Sequence, residues 1–208
     1  MINLAIQSLR TFFKSKFERC VHISMSSLYH DPFFVRFLPL SPFTQGVKSY
    51  NFKANSKRPI VVGHRGVIFE EMENTLPAFR RAHEMGCDAV ELDVFLLKCG
   101  TLVVFHGGGP EKLGSLDEHC GVNRCIQDLT YDEARELKMK EDCEEFVCPK
   151  DKIRNSKIPR LEEVLEFAKE TGLKIYLELK GPGTPEPSLR LVERYGLLDQ
   201  VIFSSFHM

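Results

Sequence analysis

Four short stretches of this sequence hold the residues best suited to chemistry. His64 and Arg65 follow the apolar run that opens at Ile60. Glu91 and Asp93 stand two apart in "AVELDVF", His106 closes 101–106, and Glu178 and Lys180 stand two apart in "IYLELK". Three carboxylates, Glu91, Asp93 and Glu178, form a hard, oxygen-rich donor set suited to Mg²⁺ or Ca²⁺ rather than to zinc. Two histidines near neutral pH can hold opposite protonation states, one as base and one as acid. Arg65 and Lys180 supply positive charge for a planar or tetrahedral anion. A divalent cation, a cationic clamp and a histidine pair together suit displacement at phosphorus. Taken singly, each has a plain structural reading: a satisfied histidine, a solvated edge strand, a helix cap. Their joint occurrence at strand ends favours the chemical one.

Such residues need elements to position them. Short apolar runs over 60–64, 88–96, 101–106, 173–179 and 200–204 read as strands, and amphipathic stretches over 75–85, 130–139, 159–171 and 187–195 as helices. Asn74 or Thr75 is placed to cap the first helix, with Pro77 in its first turn. In the third, Leu161, Val164, Leu165 and Ala168 make the apolar stripe and Gly172 ends it. Strands alternating with helices predict βα units around a parallel sheet. Read with period two, Val90, Leu92 and Val94 share one face of a strand and Glu91, Asp93 and Phe95 the other. In the same way Ile175, Leu177 and Leu179 oppose Tyr176, Glu178 and Lys180. Buried charge must be paired or must hold a metal, and α/β barrels gather such groups at the C-terminal ends of their strands. A two-residue turn at Cys99-Gly100 would pair Lys98 with Thr101 and set Asp93 opposite His106. Residues 107–158 read as a long insertion holding one helix.

The segments "GHRG", "ENTLPAF", "GCDAVELDV", "VVFH", "IPRLEEVL" and "LELK", in this order and spacing, resemble the glycerophosphodiester phosphodiesterases over about residues 59–206. The resemblance implies an α/β fold of the (β/α)8 TIM-barrel type, here reaching about its first five strands. It also implies cation-dependent hydrolysis of a small-molecule glycerophosphodiester to an alcohol and glycerol 3-phosphate. Carried over by motif, His64 and His106 are the acid/base pair, Glu91, Asp93 and Glu178 the metal ligands, and Arg65 and Lys180 phosphate contacts. Glu73 and Asn74 complete the pocket. The family usually has Asp after the second histidine; Gly107 stands here, a step more like phosphoinositide-specific phospholipase C. A barrel fragment without catalysis, serving as a binding module, is the reading from another class.

Residues 1–58 carry nine Lys/Arg against two Asp/Glu, and the remainder is net acidic, so two differently composed segments meet near residue 58. Nothing in the acidic part suggests nucleic acid as a partner. The leader, amphipathic in 1–20 with Ile2, Ile6, Leu9, Phe13 and Phe17 on one side, reads as an organelle transit segment, a membrane-surface helix or a plain extension. Localisation is therefore expected in an organelle or the cytoplasm. Seven cysteines without a secretory signal argue for free thiols and against secretion. The pairs Cys120/Cys125 and Cys143/Cys148 are spaced wider than the usual zinc knuckle and read as ordinary cysteines of an inserted loop.

Overall fold

A computed structural model of the chain describes residues 60–108 and 112–205; the leader expected over 1–58 lies outside them. The described elements are β1 (Val62–His64), α1 (Leu76–Glu84), β2 (Ala89–Leu96), β3 (Leu102–Val104), α2 (Asp117–Cys120), a 3-10 turn (Ile126–Asp128), α3 (Tyr131–Arg135), α4 (Lys150–Arg154), α5 (Leu161–Thr171), β4 (Lys174–Leu179), α6 (Pro185–Tyr195) and β5 (Val201–Ser204).

Local chemistry explains the long helices. Thr75 takes the cap of α1, its Oγ1 accepting from Ala78 N at 3.5 Å, with Pro77 in the first turn where its missing N–H is no loss. Glu163 reaches back to accept from Arg160 N at 2.8 Å at the start of α5, and Gly172 ends that helix in the left-handed region. At α6, Pro185 stands in the first turn and Gly196 just past the end.

β1, β2, β4 and β5 form a parallel run in that order, and β3 folds back antiparallel along β2. The alternation read from the sequence sorts the two faces of this sheet. Val90, Leu92, Val94, Ile175, Leu177, Leu179, Val201 and Phe203 are buried with α1, α5 and α6 in one apolar core. Each fully buried Leu, Ile or Phe there contributes about 1.5–3 kcal/mol. Glu91, Asp93 and Glu178 alternate with these residues and belong to the opposite face. There the C-terminal part of β2 is covered by the insertion, whose own core joins Phe95, Val103, Phe105, Leu116, Ile126 and Leu129. This is the α/β architecture of the (β/α)8 barrel type, with five strands among the described residues, fewer than the eight that close a barrel.

Three expectations need correction. The hairpin pairs Val94 with Val104 and Leu96 with Leu102, one residue out from the expected register. The turn takes three residues: Leu97 N bonds Thr101 O at 2.9 Å and Gly100, at φ 84°, occupies a left-handed position. Asp93 O therefore accepts from Phe105 N at 3.0 Å, so Phe105 and not His106 stands opposite Asp93. The helix expected over 130–139 stops at Arg135, after which Met139 packs sideways against two apolar clusters. Finally, the insertion holds three helices of four or five residues, each too short to write a periodic signal.

Candidate active site

The site starts in the loop between β1 and α1. Gly66 sits at φ 91°, and a Cβ there would lie 2.6 Å from Ala78 Cβ, so glycine lets the first turn of α1 close on the loop. Two non-glycine residues of the same loop are also left-handed, Arg65 at φ 56° and Asn74 at φ 54°. Such conformations persist only where the surroundings hold them. Asn74 N donates to Arg65 O at 3.0 Å. Arg65 N donates to Glu91 O and to Glu91 Oε2, both at 3.1 Å. The Arg65 guanidinium bonds both Glu73 oxygens from Nη1, at 3.2 and 3.1 Å, and its Nε lies 3.5 Å from Asp93 Oδ2. Glu73, which could have been one more solvated loop acid, is buried.

Strand register supplies the carboxylates. Glu91 pairs with His64 on one side and Tyr176 on the other, and Asp93 pairs with Glu178. Neighbouring strands lie about 4.8 Å apart, so these side chains are held close by the sheet itself. One oxygen from each of Glu91, Asp93 and Glu178 falls within 4.8 Å of the other two. Lys180 Nζ bridges two of them, at 3.2 Å from Asp93 Oδ1 and 2.8 Å from Glu178 Oε1. Burial, then the charges of Asp93 and Glu178, push the Glu91 carboxyl up to about 8. Burial also acts on Asp93, but Lys180, His106 and Arg65 outweigh it and hold that carboxyl low. Burial raises Glu178 despite Lys180. Three oxygen donors, one of them kept from ionising readily by burial and by its acidic neighbours, fit a hard divalent cation.

The two histidines differ. His64 has an exposed side chain, with Nε2 at 3.7 Å from Glu91 Oε2. His106 is mostly buried; its Nδ1 makes no hydrogen bond and lies 3.9 Å from Glu73 Oε1. Burial and Arg65 push the His106 imidazole down to about 4, so it is neutral at neutral pH. Since β3 runs back along β2, the residues after Val104 return His106 toward the acids despite the shifted register.

His64, Arg65, Glu73, Asn74, Glu91, Asp93, His106, Glu178 and Lys180, each singled out in the sequence, thus join one continuous network. Two residues of the insertion had no such reading. Glu145 Oε2 lies 3.7 Å from His106 Nδ1 and 2.9 Å from His119 Nε2. His119 adjoins Cys120 in the sequence, and nothing local marks Glu145. The insertion cysteines Cys120, Cys125, Cys143 and Cys148 are free, and among the described residues no cysteine joins a group of three potential metal ligands.

Residues 64–195 match the model of the glycerophosphoryl diester phosphodiesterase family. A glycerophosphodiester phosphodiesterase of Caldanaerobacter subterraneus subsp. tengcongensis is 31% identical over 155 residues, 72% of this chain and 59% of its own length. Among solved structures, a glycerophosphodiester phosphodiesterase from Agrobacterium tumefaciens superposes with a TM-score of 0.60 at 26% identity, over 72% of this chain and 58% of that one. A phosphodiesterase from Oleispira antarctica, solved with the product sn-glycerol 3-phosphate, gives a TM-score of 0.58 at 27% identity, over 71% and 57%. The chain thus spans under two thirds of the length of these relatives.

Proposed function

This chain belongs to the glycerophosphoryl diester phosphodiesterase family, and on that premise we propose that its site hydrolyses glycerophosphodiesters to an alcohol and glycerol 3-phosphate. The observation that carries this reading is the convergence of Glu91, Asp93 and Glu178 from adjacent strands beside two cations and two histidines. Those carboxylates would hold Mg²⁺ or Ca²⁺, which supplies Lewis-acid polarisation of the phosphoryl oxygen when bound. Arg65 and Lys180 meet the phosphate charge, Glu73 aims Arg65, and Asn74 fixes Asp93. His106, neutral at working pH, accepts a proton from the attacking water as the bond from phosphorus to the alcohol oxygen breaks; His64, in its protonated form, delivers one to the leaving alcohol. The product named with the Oleispira antarctica relative agrees with a glycerol phosphate half of the substrate.

The experiment is release of glycerol 3-phosphate from glycerophosphocholine with and without Mg²⁺ or Ca²⁺, followed by ³¹P NMR. Cation-dependent turnover that vanishes in Glu178→Gln supports the proposal. Turnover surviving exhaustive chelation contradicts it. A cyclic phosphate in place of glycerol 3-phosphate would assign the attack to the substrate's own 2-hydroxyl rather than to water.

A further inference from the structure

The insertion sets a second group of donors against His106. His119, at the end of the short helix α2, is wholly buried, and its Nε2 lies 2.9 Å from Glu145 Oε2. The same oxygen lies 3.7 Å from His106 Nδ1. One donor atom each from His106, His119 and Glu145 falls within 4.8 Å of the other two. The Nδ1 atoms of both histidines are buried without a hydrogen-bond partner, a state that native structures seldom leave unexplained.

Packing holds this group in place. The His119 ring stacks on Phe146, with centroids 5.0 Å apart and 26° between planes, and meets Phe105 edge-on at 5.8 Å. Lys140 N donates to His119 O at 2.7 Å, which ties α2 to the turn that carries Glu145 and Phe146. Phe146 thus fixes the imidazole while its neighbour Glu145 presents the carboxylate. The Glu145 side chain is 40% exposed, which leaves an entry path.

Two imidazole nitrogens and one carboxylate oxygen are the protein ligands of an open four-coordinate zinc site. Imidazole selects Zn²⁺ and its transition-metal neighbours over Mg²⁺ and Ca²⁺, the reverse of the oxygen-only set on β2 and β4. We propose that His106, His119 and Glu145 form a second metal site, specific for Zn²⁺-class ions, beside the carboxylate site. Resting on the acid/base reading given above, occupation of this site withdraws His106 from proton transfer and makes Zn²⁺ an inhibitor.

The test titrates the metal-free 208-residue chain with Zn²⁺ alone, in competition with a chromophoric chelator, and with Co²⁺ alone by visible absorption. One equivalent should bind, with the intense d–d absorption of four-coordinate Co²⁺, undisplaced by excess Mg²⁺. Glu145→Gln should weaken binding at least about tenfold, His119→Gln likewise, and Glu178→Gln should leave it intact. Should the buried His119 variant fail to fold, the exposed Glu145→Gln carries the comparison alone. Absence of Zn²⁺ binding in protein that melts cooperatively overturns the proposal, and leaves His119–Glu145 as an ordinary hydrogen bond. Binding that survives Glu145→Gln but is lost in Glu178→Gln overturns it too, by placing the ion among the carboxylates. In protein active with Mg²⁺, added Zn²⁺ should suppress turnover, and less so in Glu145→Gln. Protein without turnover that still binds Zn²⁺ through Glu145 would refute the proposed hydrolysis and leave the zinc site standing.

Discussion

Asn74 and Asp93 grip each other twice. Asn74 Nδ2 donates to Asp93 Oδ2 at 3.0 Å, and Asp93 N donates to Asn74 Oδ1 at 3.2 Å, both bonds buried. A left-handed loop residue is thereby fastened to the middle of the central strand. Asn74→Ala should destabilise the fold by about 2–4 kcal/mol, since it strands the buried Asp93 N–H and removes a buried hydrogen bond to the Asp93 carboxylate. Asn74→Gly relieves the backbone conformation without restoring the bonds, and should recover only part of that loss. Urea unfolding of the three proteins reads both; an Ala variant within 0.5 kcal/mol of the parent, a bound set by the smallest net hydrogen-bond contributions, would refute the clamp.

The pH response of the metal-free protein should be set by Glu91. Its carboxyl titrates near 8 when folded and near 4.3 when unfolded. Between those values the folded state holds the extra proton, so stability is highest at the acid end and declines as pH rises toward 8. His106, lowered to about 4, acts with the opposite sign and only below about 6.5. The melting temperature without metal should therefore fall from about pH 6.5 to 8. Glu91→Gln should flatten that slope, and a slope unchanged in the variant would mean that another group causes it. Added Mg²⁺ or Ca²⁺ should bind more tightly with rising pH over the same range, because its entry displaces the Glu91 proton.

His64→Ala and His106→Ala should each lower kcat about 10²- to 10⁴-fold in protein that turns over with Mg²⁺. The exposed His64 should leave the melting temperature nearly unchanged, so a loss of rate there reports chemistry rather than unfolding. A variant of either histidine with parental kcat would remove that residue from proton transfer.

Gly66→Ala combines a Cβ placed 2.6 Å from Ala78 Cβ with a φ of 91°. It should destabilise by at least about 2 kcal/mol. Pairing it with Ala78→Gly removes one colliding atom but neither the backbone contact at 2.8 Å nor the φ strain, so the double variant should recover only part. Chemical denaturation midpoints check this, and a neutral Gly66→Ala would mean that α1 does not close on the loop as described.

How much of this was legible in the sequence depends on the range of the forces involved. The split of Glu91 and Asp93 from Leu92 and Val94 is written by the two-residue period of a strand, and the structure keeps it. Capping of α1 at Thr75 is equally local. The hairpin register was not legible, because whether Gly100 sits in a two- or three-residue turn depends on how β3 packs on β2. Glu145 was invisible for a related reason. Nothing local marks it, and its place beside His106 comes from a turn tied to α2 through His119 O and from a ring stack. The motif residues of the loop and strands were readable, while the insertion was not.

The alternation along β2 and β4 also works as an error check. The same two strands that present Glu91, Asp93 and Glu178 on one face present Leu92, Val94, Leu177 and Leu179 on the other. A slip of one residue in either strand would move an acid into the helical layer and a leucine into the carboxylate cluster together. Misalignment of the chemistry is therefore never silent: it is reported at once as the loss of an apolar core, which is a far larger signal than a displaced carboxylate. Folding rejects the faulty register before any substrate arrives. Sequence drift among the helix-facing leucines and valines is then constrained by the alignment of acids that they never touch.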